Sequence, residues 1–70
     1  MPHIAVTMYP GRTPEQKQRL AEKLRQTIMD ELHVSAQVVS VTVQDVEQAH
    51  WAESLSQFPA ESFFVKPEEP

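Results

Sequence analysis

From His3 to Tyr9, the apolar residues Ile4, Val6 and Met8 alternate with Ala5, Thr7 and Tyr9, the two-residue period of a strand buried on one face. Pro10-Gly11 ends the run, and because Gly11 is the only glycine in the chain, a turn that needs a positive φ has one place to be. Thr13-Pro14-Glu15-Gln16 predicts a helix start: Thr13 caps, Pro14 suits the first helical position, and Gln16 completes a Thr-x-x-Gln capping box. Leu20, Leu24, Ile28 and Leu32 then recur every four residues, and Ala21 and Met29 widen the stripe. Lys17, Arg19, Glu22, Lys23, Arg25 and Asp30 fill the rest of the surface, so the helix buries one face. His33 falls at its C-terminus, where the helix dipole favours a charged imidazole. Val38 to Val46 predicts a second strand, with Val39, Val41 and Val43 alternating with Ser40, Thr42 and Gln44.

A helix between two strands is a crossover, which makes the strands parallel and the connection right-handed. The expected fold class is α+β, a β-α-β protomer of two layers. Beyond it, Trp51, Leu55 and Phe58 have helical spacing, Pro59 stops the run, and Phe63-Phe64-Val65 reads as a short strand before the acidic KPEEP tail. No repeat or linker divides the chain, so residues 1–70 are expected to form one domain, with 66–70 as a tail. Two strands and one helix leave a sheet face and an edge uncovered, and this last apolar segment is expected to pack on a second subunit.

Length makes that expectation stronger. A core built from 70 residues rarely supplies more than roughly 3–5 kcal/mol without some further staple. The chain has no cysteine, and its three histidines, His3, His33 and His50, are scattered, so disulfides, thiolate sites and a local metal motif are not expected. Oligomerisation remains. The net charge of −4, with no continuous basic run, argues against nucleic acid as partner. No stretch is long and apolar enough to span a membrane, and no basic region with an apolar core opens the chain, so a soluble cytoplasmic protein is expected.

With no Gly-rich phosphate loop and no Gly-x-Ser-x-Gly elbow, the unusual chemical feature is the opening dipeptide, Met1-Pro2. Loss of an initiator methionine before a small residue leaves proline with a free secondary amine, able to act as a base without any side chain. Most prolines that follow an initiator methionine have no such role. Here Pro2 opens a strand at once, so its nitrogen is expected to be held by the sheet and not to lie on a free tail.

Pro2, the short strand, Gly11-Arg12, the Thr13-Pro14-Glu15-Gln16-Lys17 helix start, the leucine stripe, the valine strand and Trp51 together resemble the 4-oxalocrotonate tautomerase family over about residues 2–51. The opening Pro2-His3-Ile4, Trp51 and Lys66-Pro67 look closest to its small dimeric branch. The resemblance implies a cofactor-independent isomerase in which Pro2 is the general base, moving a proton between an enol or dienol acid and its keto form. It also implies that Arg12 binds a substrate carboxylate or polarises a carbonyl, and that Trp51 supplies an apolar wall. The side chains suit those roles. A guanidinium grips a carboxylate at two points, and burial beside Trp51 and near Arg12 disfavours charging the amine, bringing a proton carrier toward the operating pH.

Two departures narrow the expectation. Where the family archetype has a second arginine in its second strand, this chain has Ser40, so a dicarboxylate is expected to bind poorly. The archetype also ends in a glycine-containing hairpin that helps to build a hexamer, whereas no glycine follows Gly11 here, which favours a dimer over a hexamer. Ser40 has two readings, donor of a hydrogen bond to substrate or occupant of the exposed strand face, of which the second is favoured. Trp51 serves equally as a core or interface aromatic, and Arg12 as a solvated charge. His3 and His50 are read as packed or exposed histidines, with tuning of Pro2 as the second reading.

The favoured substrates are small 2-keto or 2-hydroxyalkenoic acids, an aromatic enol acid such as phenylenolpyruvate among them. The alternatives are a hydratase or dehalogenase of the same superfamily, for which Asp45 and Glu47 are the nearest water-activating carboxylates, and a non-catalytic dimeric ligand-binding module. A straight seven-residue strand spans roughly 23 Å. Pro2 and Arg12 therefore cannot meet within one straight-stranded subunit, and an active site is expected to take Arg12 from a neighbouring chain or to need a bent approach.

Overall fold

The computed structural model describes residues 1–70. Its core unit is strand β1 (His3–Met8), helix α1 (Pro14–Leu32) and strand β2 (Ser40–Asp45), and the two strands are parallel neighbours in one sheet. The register pairs His3 with Ser40 and runs without slippage to Met8 with Asp45. The ladder extends one rung past each end, from the Ser40 N–H to the Pro2 carbonyl (3.3 Å) and from the Val46 N–H to the Met8 carbonyl (2.8 Å). Ile4, Val6, Val41 and Val43 point to the helix side, while His3, Ala5, Ser40, Thr42 and Gln44 are exposed on the outer face, as the alternation requires.

The connections follow their local chemistry. Gly11 adopts φ 128° with nothing near enough to meet a Cβ, so glycine is needed there for backbone freedom alone. At the start of α1 the capping box closes in both directions: the Gln16 N–H donates to Thr13 Oγ1 (3.1 Å) and the Thr13 N–H to Gln16 Oε1 (2.9 Å), satisfying amides that the first turn leaves free. Lys17 then ties this end of α1 to the end of β2 through Asp45 (2.8 Å). At the other end His33 is the C-cap, in the left-handed conformation at φ 56°, ψ 48°. A side chain with a Cβ is disfavoured there and glycine is usual. His33→Gly is therefore expected to stabilise the protein by about 0.5–1 kcal/mol, read as a higher denaturation midpoint at fixed protein concentration.

Three sequence expectations need correction. Leu32, the last member of the leucine stripe, is 56% exposed, because a 19-residue helix is about 28 Å long and outruns six-residue strands of about 20 Å. The second strand begins at Ser40, since Ala36–Val38 forms a 3₁₀ turn. In the last third, a 3₁₀ turn at Gln48–His50 leads into the short helix α2 (Trp51–Leu55), and Ala60–Ser62 forms another such turn. Phe63-Phe64-Val65 is not a strand. No neighbouring backbone is present to pair with it, and the Ser62 hydroxyl instead closes a turn on the Pro59 carbonyl (2.7 Å).

Very little of the protomer is shielded from water. Val39, still 9% exposed, is the one residue that counts as buried, whereas Phe64 and Val65 are 92% and 86% exposed. The accessible surface is 6075 Å² for 8.0 kDa, against about 4,450 Å² for a compact monomer of that mass. The excess of about 1,600 Å² is twice the ~800 Å² that each partner buries in a standard interface. The radius of gyration of 13.6 Å likewise exceeds the ~11 Å of a compact chain of this length.

Candidate active site

The four sequence-predicted site residues fall into two pairs at opposite ends of β1. At the start of the strand, Pro2 is half-buried and its carbonyl accepts the Ser40 N–H. The ring locks φ near −65°, and the ladder bond holds the carbonyl plane, so both soft angles of Pro2 are restrained. Met1, by contrast, is 98% exposed and packs on nothing. The Ser40 hydroxyl lies 2.6 Å from His3 Nδ1, and His3 Nε2 lies 3.2 Å from the Thr42 hydroxyl, which places all three side chains on the outer face.

At the far end, Arg12 and Trp51 line one cleft of ≈ 560 Å³ together with Thr7, Met8, Tyr9 and Pro10. Trp51 opens α2, and its ring meets Tyr9 edge-on (centroids 5.1 Å apart, planes at 81°), which fixes the indole over the end of β1. Arg12 follows the Gly11 turn and is exposed. Its neighbour Lys17 is committed to Asp45 in the chain's one salt bridge, so Arg12 is the unpaired cation of this end. A free guanidinium beside an aromatic wall suits an anionic group attached to an apolar body.

Ser40 thus joins Pro2, and Arg12 joins Trp51, but about 20 Å of strand separates the pairs. His50 immediately precedes Trp51 and is exposed, which puts it at the Arg12 end and away from Pro2 of its own chain. Asp45, one of the two carboxylates considered for water activation, is held by Lys17. Tyr9 was missed as a lining residue; its signal was an aromatic at the outer-face position that closes the first strand. Between the two ends, an apolar groove of ≈ 460 Å³ runs along β1, lined by Ala5, Val6, Trp51, Phe58, Phe63 and Phe64 among others. β1 has β2 on one side only, and its other edge is open.

Comparison with known proteins identifies what this framework belongs to. Residues 2–53 match the family described as tautomerase enzyme. A probable tautomerase of Xylella fastidiosa is 42% identical over 55 residues, 79% of this chain and 67% of the relative. The 2-hydroxymuconate tautomerase of Bacillus subtilis is 33% identical over 52 residues, covering 74% of this chain and 84% of the relative. The chain belongs to the 4-oxalocrotonate tautomerase family. It is accordingly an isomerase, and its β-α-β protomer is that of a tautomerase. No solved structure matches the chain significantly. The matched segment of the tautomerase runs from Pro2 to just past Trp51, so both ends of β1 and the cleft at Arg12 lie inside it. No helix of the tautomerase is long and apolar enough to cross a membrane.

Proposed function

We propose that this tautomerase moves a proton between the keto and enol forms of small 2-keto or 2-hydroxyalkenoic acids, with Pro2, freed by loss of Met1, as the general base. The observation that carries the reading is the placement of Pro2 within a family-matched fold: it is the first rung of the sheet, tied to Ser40, and not part of a loose terminus. In the enol-to-keto direction, a secondary amine held in this way takes the proton of the enol hydroxyl and returns it to a carbon of the conjugated system as the C–O bond becomes C=O. The arrangement of double bonds changes and nothing is lost. Arg12 grips the carboxylate, and Trp51 provides the apolar wall against which the carbon chain lies. The name of the Bacillus subtilis relative, a 2-hydroxymuconate tautomerase, supports an enol acid as substrate class. Ser40 in place of a second arginine favours acids with one carboxylate.

The distance between the half-sites supports a working unit of more than one chain, and a dimer is the reading adopted. Pro2 of one protomer is completed by Arg12 and Trp51 of the partner subunit, through contacts along the open edge of β1 and the apolar groove beside it. The excess surface of the isolated protomer supports this assembly. The outer sheet face, with His3, Ser40, Thr42 and Gln44 exposed, is hydrophilic and offers little for dimers to stack on, which favours a dimer over a hexamer. The test combines sedimentation with an ultraviolet assay on a small enol acid, using protein whose intact mass shows that Met1 has gone. A dimer that ketonises the acid is the expected result; a folded monomer at micromolar concentration, or an inert dimer, would overturn it.

A further inference from the structure

The side-chain cluster next to Pro2 has a geometry that the proton-transfer scheme above leaves unused. His3 stands opposite Ser40 in the register of the two strands. Its ring reaches across the strand pair and engages two hydroxyls at once, Ser40 through Nδ1 at 2.6 Å and Thr42 through Nε2 at 3.2 Å. A ring bonded at both nitrogens is restrained about its side-chain torsions. Each hydroxyl can donate or accept, so either neutral tautomer and the charged ring all satisfy the same two contacts, and the clamp persists whatever the protonation of His3.

What the clamp adjoins is the first rung of the ladder. The rung from the Ser40 N–H to the Pro2 carbonyl is 3.3 Å, longer than the 2.8 Å rung at the other end of β1, and it sits at a chain terminus, where strands fray. Because the pyrrolidine ring fixes φ, rotation about ψ of Pro2 is the one soft motion that would redirect the amine lone pair relative to the sheet. The Ser40 N–H restrains that rotation, and the Ser40 side chain is in turn restrained by His3.

We propose that His3 is a positioning residue for Pro2, acting through Ser40 to hold the amine in the orientation that proton transfer needs. This rests on Pro2 being the base. It gives Ser40 a task that requires no contact with substrate: its hydroxyl is occupied by His3, and its backbone amide carries the restraint to Pro2. Asparagine places a polar atom where Nδ1 of histidine lies, whereas glutamine extends toward the position of Nε2. The two substitutions therefore separate the Ser40 contact from the Thr42 contact.

The experiment is steady-state kinetics on the processed protein and its His3→Ala, His3→Asn, His3→Gln and Ser40→Ala variants, plus the His3→Ala/Ser40→Ala double variant, with each dimer confirmed by sedimentation. Misorientation of a reacting group lowers kcat, so His3→Ala and Ser40→Ala are each expected to lose about 10-fold in kcat with KM little changed. The double variant should lose no more than either single one, since both break the same link. His3→Asn should recover most of the loss, and His3→Gln should not. A residue that only stabilised the fold would lower the melting temperature without dividing kcat from KM in this way. Losses that multiply in the double variant, a rise in KM alone, or equal behaviour of the asparagine and glutamine variants would each overturn the clamp. The two levels are separable: activity that depends on removal of Met1 but is indifferent to His3 removes the clamp and keeps the base, whereas full activity with Met1 in place removes the base itself.

Discussion

Protein that retains Met1 is expected to fold and assemble like the processed form yet to turn over enol acids about 100- to 10,000-fold more slowly, the usual cost of losing a general base. The chemistry is simple. With methionine attached, the Pro2 nitrogen is a tertiary amide whose lone pair is delocalised into the carbonyl, and it accepts no proton at neutral pH. The structure shows why the fold should not notice the difference: Met1 is 98% exposed, and the first ladder bond uses the Pro2 carbonyl, not its nitrogen. Pro2→Ala in processed protein should be the milder change, because a primary amine remains, although the ring that locks φ is gone. Intact mass identifies each form, and circular dichroism with sedimentation shows that it is folded and assembled. Equal turnover by the processed and Met1-retaining forms would end the case for Pro2 as the base.

The β-α-β unit was readable because each of its signals is local. Alternation at Ile4-Val6-Met8 and Val39-Val41-Val43, the Thr13–Gln16 capping box and the single glycine depend on neighbours a few residues away, and all of them reappear in the fold. Leu32 departs from the stripe because a stripe on a helix says where apolar residues point, not where the sheet beneath them ends. Phe63-Phe64-Val65 departs from its pattern for a related reason: three apolar residues have strand-like composition, but a strand needs a partner edge, and only the folded chain reveals whether one is in reach. The site divides in the same manner. Pro2 and Arg12 stand out in the sequence by chemical type, whereas the His3–Ser40–Thr42 contacts and the Tyr9–Trp51 pair depend on register and on the path of the chain after β2, which no local pattern encodes.

The proposed sharing of the site between subunits leads to the last prediction, a test by complementation. Arg12→Ala alone should weaken turnover by about 1.5–3 kcal/mol of transition-state stabilisation, or roughly 10- to 150-fold, if the guanidinium makes a charge-assisted contact to the carboxylate. Met1-retaining chains lack the base, and Arg12→Ala chains lack the grip. Suppose the two weakly active proteins are unfolded together, refolded at equal concentration, and allowed to form dimers at random. Half of the dimers are then mixed, and in each of these one site is damaged twice. The other joins Pro2 of the Arg12→Ala chain to Arg12 of the Met1-retaining partner, and it is intact. About a quarter of all sites should therefore work, and turnover should rise to about a quarter of the wild-type rate, roughly 2.5- to 40-fold above the Arg12→Ala parent and further above the Met1-retaining one. If Pro2 and Arg12 of the same chain met in one site, every site in every dimer would carry a lesion and mixing would restore nothing. The two arrangements differ by the full size of the recovered rate, and the roughly 20 Å of strand between Pro2 and Arg12 puts the expectation on the side of recovery.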